Sequence, residues 1–547
     1  MSTLEKLLFI TILLVSCSFR FWRLDAIPEG FHSDEAAFGY NAYSILKTGR
    51  DEYGKVFPLT LQSFGDYKAA LYAYTVIPFM AVLGPTELSV RLPSCVAGML
   101  WVAVMYMFVW TLSKKKSYAF VAMGLSAVSP LPVLLSRVQS DPLLSVFFIL
   151  VGTWFFFLWK EKRKNFFIFL CCIAWLFSVM TYVLPRMFLF IFIPFLLFWF
   201  RDTLSLLQKK IFGGVFIVIA VSVVILSLTS SPTRLQQVSV FSSPTVMLPL
   251  EEKIREDGGG KASLLTTRMY HNKVVEYGMY CLHNYFEYIN FNFLFYEANQ
   301  PAREKIPNIG VFLLIELPFL LVGIYTILKK KIHWGIFCLI WAFGVPALLS
   351  FTRDEIPNIH RFFLASAPFH IIISVGIVSL FYAVNKAWRK LFIAVVLILF
   401  SMNVYYFLHN LFVHQPIHLP YNRGYAYKAL VLRTKDRSFA YDVVVSQKVL
   451  EHMLFFWPMD PKVYLDMGSP RDGEEQWMGK YFFVSDPCPS NSKKYRDMMK
   501  DKKVLYMDRS ECHVPSDDIL EIIRWKEGSA AFYLVEPHEP LVSESSL

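Results

Sequence analysis

The sequence predicts an α-helical polytopic membrane protein of about eleven transmembrane helices, followed by a C-terminal α/β extracytoplasmic domain. Three observations predict it. Apolar runs long enough to cross a bilayer recur along the first 408 residues, basic clusters fall in every second connection between them, and the pattern then changes to short β-branched and aromatic runs. The composition agrees: 55% of the 547 residues are hydrophobic and only 18% are charged, against about 25% charged in a soluble domain. Disordered and fibrous classes are excluded. The net charge of +11 does not point to nucleic acid, because the basic residues sit in clusters between apolar runs rather than on one face.

The apolar segments lie at roughly 4–22, 88–112, 118–135, 140–159, 166–184, 187–200, 211–229, 307–328, 334–350, 362–384 and 390–408. A run of about 20 residues spans the hydrocarbon core as a helix, because only a helix or a closed barrel satisfies its backbone there. The sixth run is short and reads as a tilted or broken helix. In the first, Leu14-Val15-Ser16-Cys17 looks like a lipoprotein cleavage box, but the run continues unbroken into Phe21-Trp22 and reads as an uncleaved helix.

Orientation follows from the Lys/Arg bias of short loops. Lys114 to Lys116, Lys160 to Lys164, Arg201 with Lys209 and Lys210, Lys329 to Lys331, and Lys386 with Arg389 and Lys390 occupy alternate connections, which places them in the cytoplasm. The intervening short connections hold only Arg137, Arg186, Arg353 and Arg361. Segments 23–87, 230–306 and 409–547 are therefore expected outside, with residues 1–408 forming the membrane domain and 409–547 the external one.

The first external segment is the richest in polar chemistry. Ser33-Asp34-Glu35 precedes an apolar stripe of Ala36, Ala37, Tyr40, Tyr43, Ile45 and Leu46, which predicts a helix lying along the membrane with Asp34 and Glu35 at its N-terminus. Asp34 reads equally as an N-cap and as a catalytic acid. Asp141, followed by Pro142, stands at the outer mouth of the fourth span, where a carboxylate carries a functional presumption. Arg186 and Arg361 stand at the same outer level, suited to a phosphate and equally to lipid headgroups. In 230–306, Gly258 to Gly260 reads as a flexible link rather than a phosphate loop, and the aromatics from Tyr285 to Tyr296 as interfacial anchors or the lining of a lipid groove.

In 409–547, strands are expected at Asp442 to Ser446, Val463 to Asp466, Tyr481 to Ser485, Val504 to Met507 and Phe532 to Val535, with Ile519 to Trp525 a helix or another strand. Cys488 and Cys512 both fall here, and an oxidising compartment would make a disulfide between them. Cys95, Cys171, Cys172 and Cys338 lie inside spans and read as small apolar side chains.

Taken together, His32-Ser33-Asp34-Glu35-Ala36, Gly39-Tyr40-Asn41-Ala42-Tyr43, Thr48-Gly49-Arg50-Asp51-Glu52-Tyr53-Gly54, Phe64-Gly65-Asp66-Tyr67-Lys68 and Arg91-Leu92-Pro93-Ser94 resemble the glycosyltransferase family 39 and 83 group. These are GT-C-type enzymes, relatives of the protein O-mannosyltransferases and the aminoarabinose lipid A transferase. The likeness runs more loosely through Arg137, Asp141, Glu316-Leu317-Pro318-Phe319 and Arg361 to the eleventh span. It departs at Lys68-Ala69-Ala70-Leu71-Tyr72, where many relatives have Lys-Pro-Pro-Leu-Tyr.

The resemblance implies membrane-parallel helices in the first loop and a polyprenyl-phosphate sugar donor used on the outer face of a bacterial inner membrane. It implies inverting transfer to a hydroxyl of a lipid, glycan or protein acceptor. Asp34 would be the general base, Glu35 its helper and Asp141 a second carboxylate, while Lys68 and Arg361 would hold the lipid phosphate; the position of Arg186 at the same outer level adds it to the phosphate-binding set. The chemistry is consistent: cations stabilise the phosphate that leaves, and a carboxylate activates a weakly nucleophilic hydroxyl. A divalent cation stays open, since Asp34, Glu35 and Asp141 offer the oxygen ligands it takes. The alternative class is a transporter or flippase of a lipid-linked sugar, which would place its polar residues near the midplane; apart from Glu316, the charge here sits at one rim.

Overall fold

The computed structural model describes residues 2–63, 66–229, 239–242, 244–260, 263–298, 300–418, 420–447, 449–469 and 475–537. The Phe64-Gly65 part of the first-loop motif lies outside them. The chain forms two compact units: Met1–Leu24, Asp66–Tyr72 and Arg91–His414 make one, and Asp25–Gly65, Ala73–Val90 and Gln415–Leu547 make the other.

In the first unit each expected apolar segment holds a helix. They are Thr3–Phe21, Glu87–Ser113, Lys116–Val128 with Pro130–Leu135, Asp141–Lys162, Asn165–Thr181, Leu184–Trp199, Leu206–Thr229, Glu316–Lys329, His333–Leu349, Ile359–Phe362 running on to Ser366–Ala383, and Arg389–His409. Among the described residues, five helices are long and apolar enough to cross a membrane: Glu87–Ser113, Asp141–Lys162, Leu206–Leu228, Ile359–Ala383 and Lys386–His414. The eleven expected crossings are therefore seen as helical segments, five of which have the length and hydropathy of a full span. The third breaks at Ser129, because Pro130 cannot donate a backbone N–H and instead opens a new short helix. The eighth begins only at Glu316, and residues 307–315 are irregular.

The packing of this unit depends on close backbone approach. A Cβ at Gly323 would lie 2.1 Å from the Ile372 carbonyl oxygen, and one at Gly376 would lie 1.9 Å from that of Phe319. Only glycine lets helices Glu316–Lys329 and Ser366–Ala383 touch in this way. The 230–306 segment corrects one expectation in full and another in part. Gly258 and Gly259 close a helix, Pro244–Gly259, rather than forming a loose link. The aromatics of this segment divide: Tyr288, Phe293 and Phe295 are buried in the core of the unit, while Phe286, Phe291 and Tyr296 are exposed.

The second unit is built on a six-stranded sheet. Strands β1 (Thr60–Ser63) and β2 (Asp66–Ala69) come earlier in the chain. The sheet contains β3 (Val443–Gln447), β4 (Gln476–Met478), β5 (Tyr481–Val484), β6 (Val504–Arg509), β7 (Ile519–Arg524) and β8 (Ala530–Val535), in the order β4-β5-β3-β6-β8-β7. β3 is central and parallel to both β5 and β6, with Val444 opposite Tyr481 and Leu505. Alternation sends Val444, Leu505 and Phe483 to one face, against helix Tyr425–Ser438, and Val443, Val445 and Phe482 to the other, against Tyr495 and Met499. A strand buried on both faces reads as a continuous apolar run, as Val443-Val444-Val445 does.

Val463 to Asp466 is helical, not extended: Asp460 accepts a hydrogen bond from Lys462 N at 2.8 Å and Pro461 takes the first helical position. Ile519–Arg524 is a strand. Cys488 and Cys512 are joined as a disulfide, with Cα atoms 5.5 Å apart.

Candidate active site

Helix Ser33–Thr48 carries Asp34 and Glu35 in the second unit. Of the two roles the sequence left open for Asp34, the N-cap is taken by His32. His32 Nδ1 accepts the Asp34 N–H at 3.2 Å, and Glu35 Oε2 accepts the His32 N–H at 3.1 Å, a reciprocal capping box with a histidine in the place usually taken by serine or threonine. The helix N-terminus is thus capped by His32 and Glu35. The Asp34 carboxylate is one-third exposed and lies 3.5 Å from His32 Nδ1. Glu35, by contrast, is buried, and the oxygen that closes the box also accepts from Arg423 Nη2 at 2.7 Å.

The rest of the first-loop motif shapes the backbone around this helix. Gly49, with φ 69°, ends it in the left-handed conformation. Asn41 donates to Glu52 Oε1 at 2.7 Å and accepts from Glu52 N at 3.2 Å. Asp51 accepts from the backbone N–H groups of Tyr53 and Lys55, and burial pushes its carboxyl above the usual range. These acids hold a turn.

Lys68, Asp141, Arg186 and Arg361 belong to the first unit. Lys68 is half-buried on β2. Asp141 is the first residue of helix Asp141–Lys162, where the helix dipole favours a negative charge. The capping is again done by a neighbour, Ser140, whose Oγ accepts from Leu143 N at 3.2 Å. Gln139 Nε2 donates to Asp141 Oδ1 at 3.1 Å. The turn itself is pinned by Ser94, whose Oγ accepts from Ser140 N at 2.9 Å and lies 2.7 Å from the Tyr72 hydroxyl. Ser94 ties the Lys68–Tyr72 segment to the Asp141 turn.

Arg186 is buried and donates Nε–H to the Val179 carbonyl at 3.1 Å, which fixes it across the turn between two helices. Arg361, also buried, donates from Nη1 to Thr352 Oγ1 at 3.1 Å and to the Asp354 carbonyl at 2.6 Å, with the Asp354 carboxylate 3.6 Å from Nη2. Asn358 caps its short helix through His360 N and Arg361 N. Tyr182, from the Arg186 turn, and Tyr288 lie within electrostatic range of Arg361.

Arg137, expected at the same level as Arg186 and Arg361, does something else. Its Nη1 donates to the Phe19 and Arg20 carbonyls and its Nη2 to those of Trp22 and Arg23, at 2.6 to 3.4 Å. It caps the C-terminus of the first helix. Among the described residues, no group of three or more His, Cys, Asp or Glu side chains is gathered closely enough to hold a metal ion. Sequence reasoning missed Arg423, His32 and Ser94. His32 had a local signal, three residues before Glu35; Arg423 had none, being 388 positions from its partner.

No family model and no curated protein matches the chain. Solved structures do. The chain is similar to ArnT from Cupriavidus metallidurans in the apo state, with a TM-score of 0.54 at 11% identity over 97% of each chain. The same protein bound to undecaprenyl phosphate gives 0.53 at 12% identity over 98% of each. The Archaeoglobus fulgidus oligosaccharyltransferase tethered with an acceptor peptide gives 0.48 at 11% identity, over 83% of this chain and 62% of that one, so the chain spans less than two thirds of its length. At such identities the likeness shows the fold alone: the chain shares the fold of ArnT over nearly the whole of its length.

Proposed function

We propose that this protein is a membrane glycosyltransferase that moves a sugar from a polyprenyl-phosphate donor to a hydroxyl of a lipid, glycan or protein acceptor, with inversion, on the outer face of a bacterial inner membrane. The observation that carries the reading is the end-to-end match to ArnT, whose structure is known with undecaprenyl phosphate bound. A likeness of fold alone leaves many chemistries open. The residues narrow the choice.

Asp34 is the general base: its carboxylate is one-third exposed at the start of the helix, where it can take the proton of an acceptor hydroxyl as the oxygen attacks the anomeric carbon. Asp141 orients the acceptor or sugar from a helix N-terminus. Lys68, Arg186 and Arg361 bind the lipid phosphate, whose negative charge grows as the glycosidic bond breaks. Glu35 contributes through position, since Arg423 and the His32 N–H already engage its carboxylate. An apolar exterior of helices suits a polyprenyl tail, and the disulfide-bearing domain suits the oxidising side of the membrane. A divalent cation would have to be held by Asp34 or Asp141 together with ligands from outside the protein, such as the donor phosphate or water.

The test is transfer of radiolabelled sugar from a panel of polyprenyl-phosphate sugars to acceptors in native membranes. Label in a product that depends on the protein supports the proposal. Consumption of none of the donors by folded protein counts against it.

A further inference from the structure

The joint around Glu35 is built more strongly than a helix cap requires. Arg423 and Glu35 form a buried ion pair at 2.7 Å, with 2% and 3% of their side chains exposed. Gly30, at φ +84°, lies so close that a Cβ there would stand 2.7 Å from the Arg423 carbonyl oxygen, and Gly424, at φ +68°, has the Phe31 carbonyl 3.3 Å from where its Cβ would be. Phe31 itself is buried, stacked on Phe455 with ring centroids 4.7 Å apart, and its carbonyl accepts from His452 Nε2 at 2.8 Å. Further along the same segments Glu29 pairs with Lys526, and Glu87 with Lys428 at 2.9 Å.

We infer that Arg423 is a positioning residue for Asp34, so that the C-terminal domain sets the pose of the base. This rests on the reading of Asp34 given above. The chain of contacts is short. Arg423 holds Glu35 Oε2, that oxygen holds the His32 N–H, and the His32 ring holds the Asp34 N–H, so the first turn of the helix is fixed by one guanidinium from residues 415–547. A buried carboxylate stripped of its cation must protonate, turn outward or find water, and each of these loosens the box. Arginine suits the task because its planar fork can keep this geometry, whereas a lysine ammonium keeps only the charge.

The experiment compares wild type, Arg423→Lys, Arg423→Met and the double variant Arg423→Met with Glu35→Gln, all as full-length protein in detergent. The double variant removes both charges and so avoids the destabilising orphaned carboxylate of the single variant. Two readouts are taken: hydrogen exchange of the amides at 32–37, and kcat and donor KM for sugar transfer. The inference expects at least tenfold faster exchange at 32–37 in the Met variants, with exchange in β3 and β6 unchanged. It expects kcat to fall at least tenfold while donor KM stays within twofold, and Arg423→Lys to recover part of the loss. Unaltered exchange at 32–37 in folded Arg423→Met and in the double variant overturns it, as does a loss of kcat that only follows the folded fraction. Wild type that transfers no sugar defeats the functional reading instead, and the exchange data still decide whether Arg423 holds the Asp34 turn.

Discussion

His452 donates its Nε2–H to the carbonyl of Phe31 across 2.8 Å, and both residues are buried. The imidazole is neutral, and burial holds its pKa down to about 4. The folded-state value lies below the ordinary 6.5, so the stability it confers is fully present above about pH 6.5 and is lost as pH falls towards 4. The loss approaches about 3 kcal/mol at the acid end. Thermal unfolding of the full chain between pH 7 and 4 should show this slope, and His452→Gln should flatten it while lowering stability at pH 7.

Asp508 works in the opposite direction. It is buried, accepts from Ser490 N at 3.1 Å and from the Ser490 hydroxyl, and burial pushes its carboxyl up to about 6. A folded-state pKa above the ordinary value means the native domain holds a proton that the unfolded chain releases. Its contribution is therefore complete below about pH 4 and is lost as pH rises through 6. Asp508→Asn should stabilise the domain at pH 7 by about 2 kcal/mol and leave it unchanged at pH 4, as read from paired melting curves.

Arg137 is predicted to be a structural residue, not a phosphate ligand. Truncation to Ala exposes the last carbonyls of the first helix without a donor, which should cost about 2–4 kcal/mol. Arg137→Lys should recover less than half, because an ammonium cannot serve four carbonyls in two directions. Donor KM measured on the folded fraction should be unchanged; a rise of tenfold would contradict the structural assignment and point to contact with the donor.

The helices of the first unit were legible because each expected apolar run is a continuous local signal. The central strands were legible for the same reason: Val443-Val444-Val445 and Tyr481-Phe482-Phe483-Val484 are apolar on both faces. Val463 to Asp466 misled because a three-residue apolar run carries no periodicity of its own, and the decisive signal was the Asp460-Pro461 helix start beside it. For the candidate site the sequence offered residue types, but not how adjacent acids divide between exposure and burial. Asp34 and Glu35 are adjacent in sequence and share a helix turn, yet one is partly exposed while the other is sealed by Arg423. That difference is set by a residue 388 positions away, which no local spacing encodes.

Lys68→Ala should raise the donor KM and leave the acceptor KM within twofold. The motive is its half-buried place on β2, in the segment that Tyr72 and Ser94 pin to the Asp141 turn. A cation that binds the donor phosphate acts before and during bond breaking, so kcat should fall as well. Initial rates against donor concentration at saturating acceptor decide it, and an unchanged donor KM removes Lys68 from the phosphate site.

The central claim is that Asp34 is the base of a sugar transfer. The most direct measurement is release of radiolabelled sugar from a polyprenyl-phosphate donor into product by wild type and Asp34→Asn, at equal amounts of folded protein. The account predicts a loss of about 10²–10⁴-fold in kcat with donor binding retained, the range expected when a positioned carboxylate base is removed. Transfer by Asp34→Asn at the wild-type rate would contradict it.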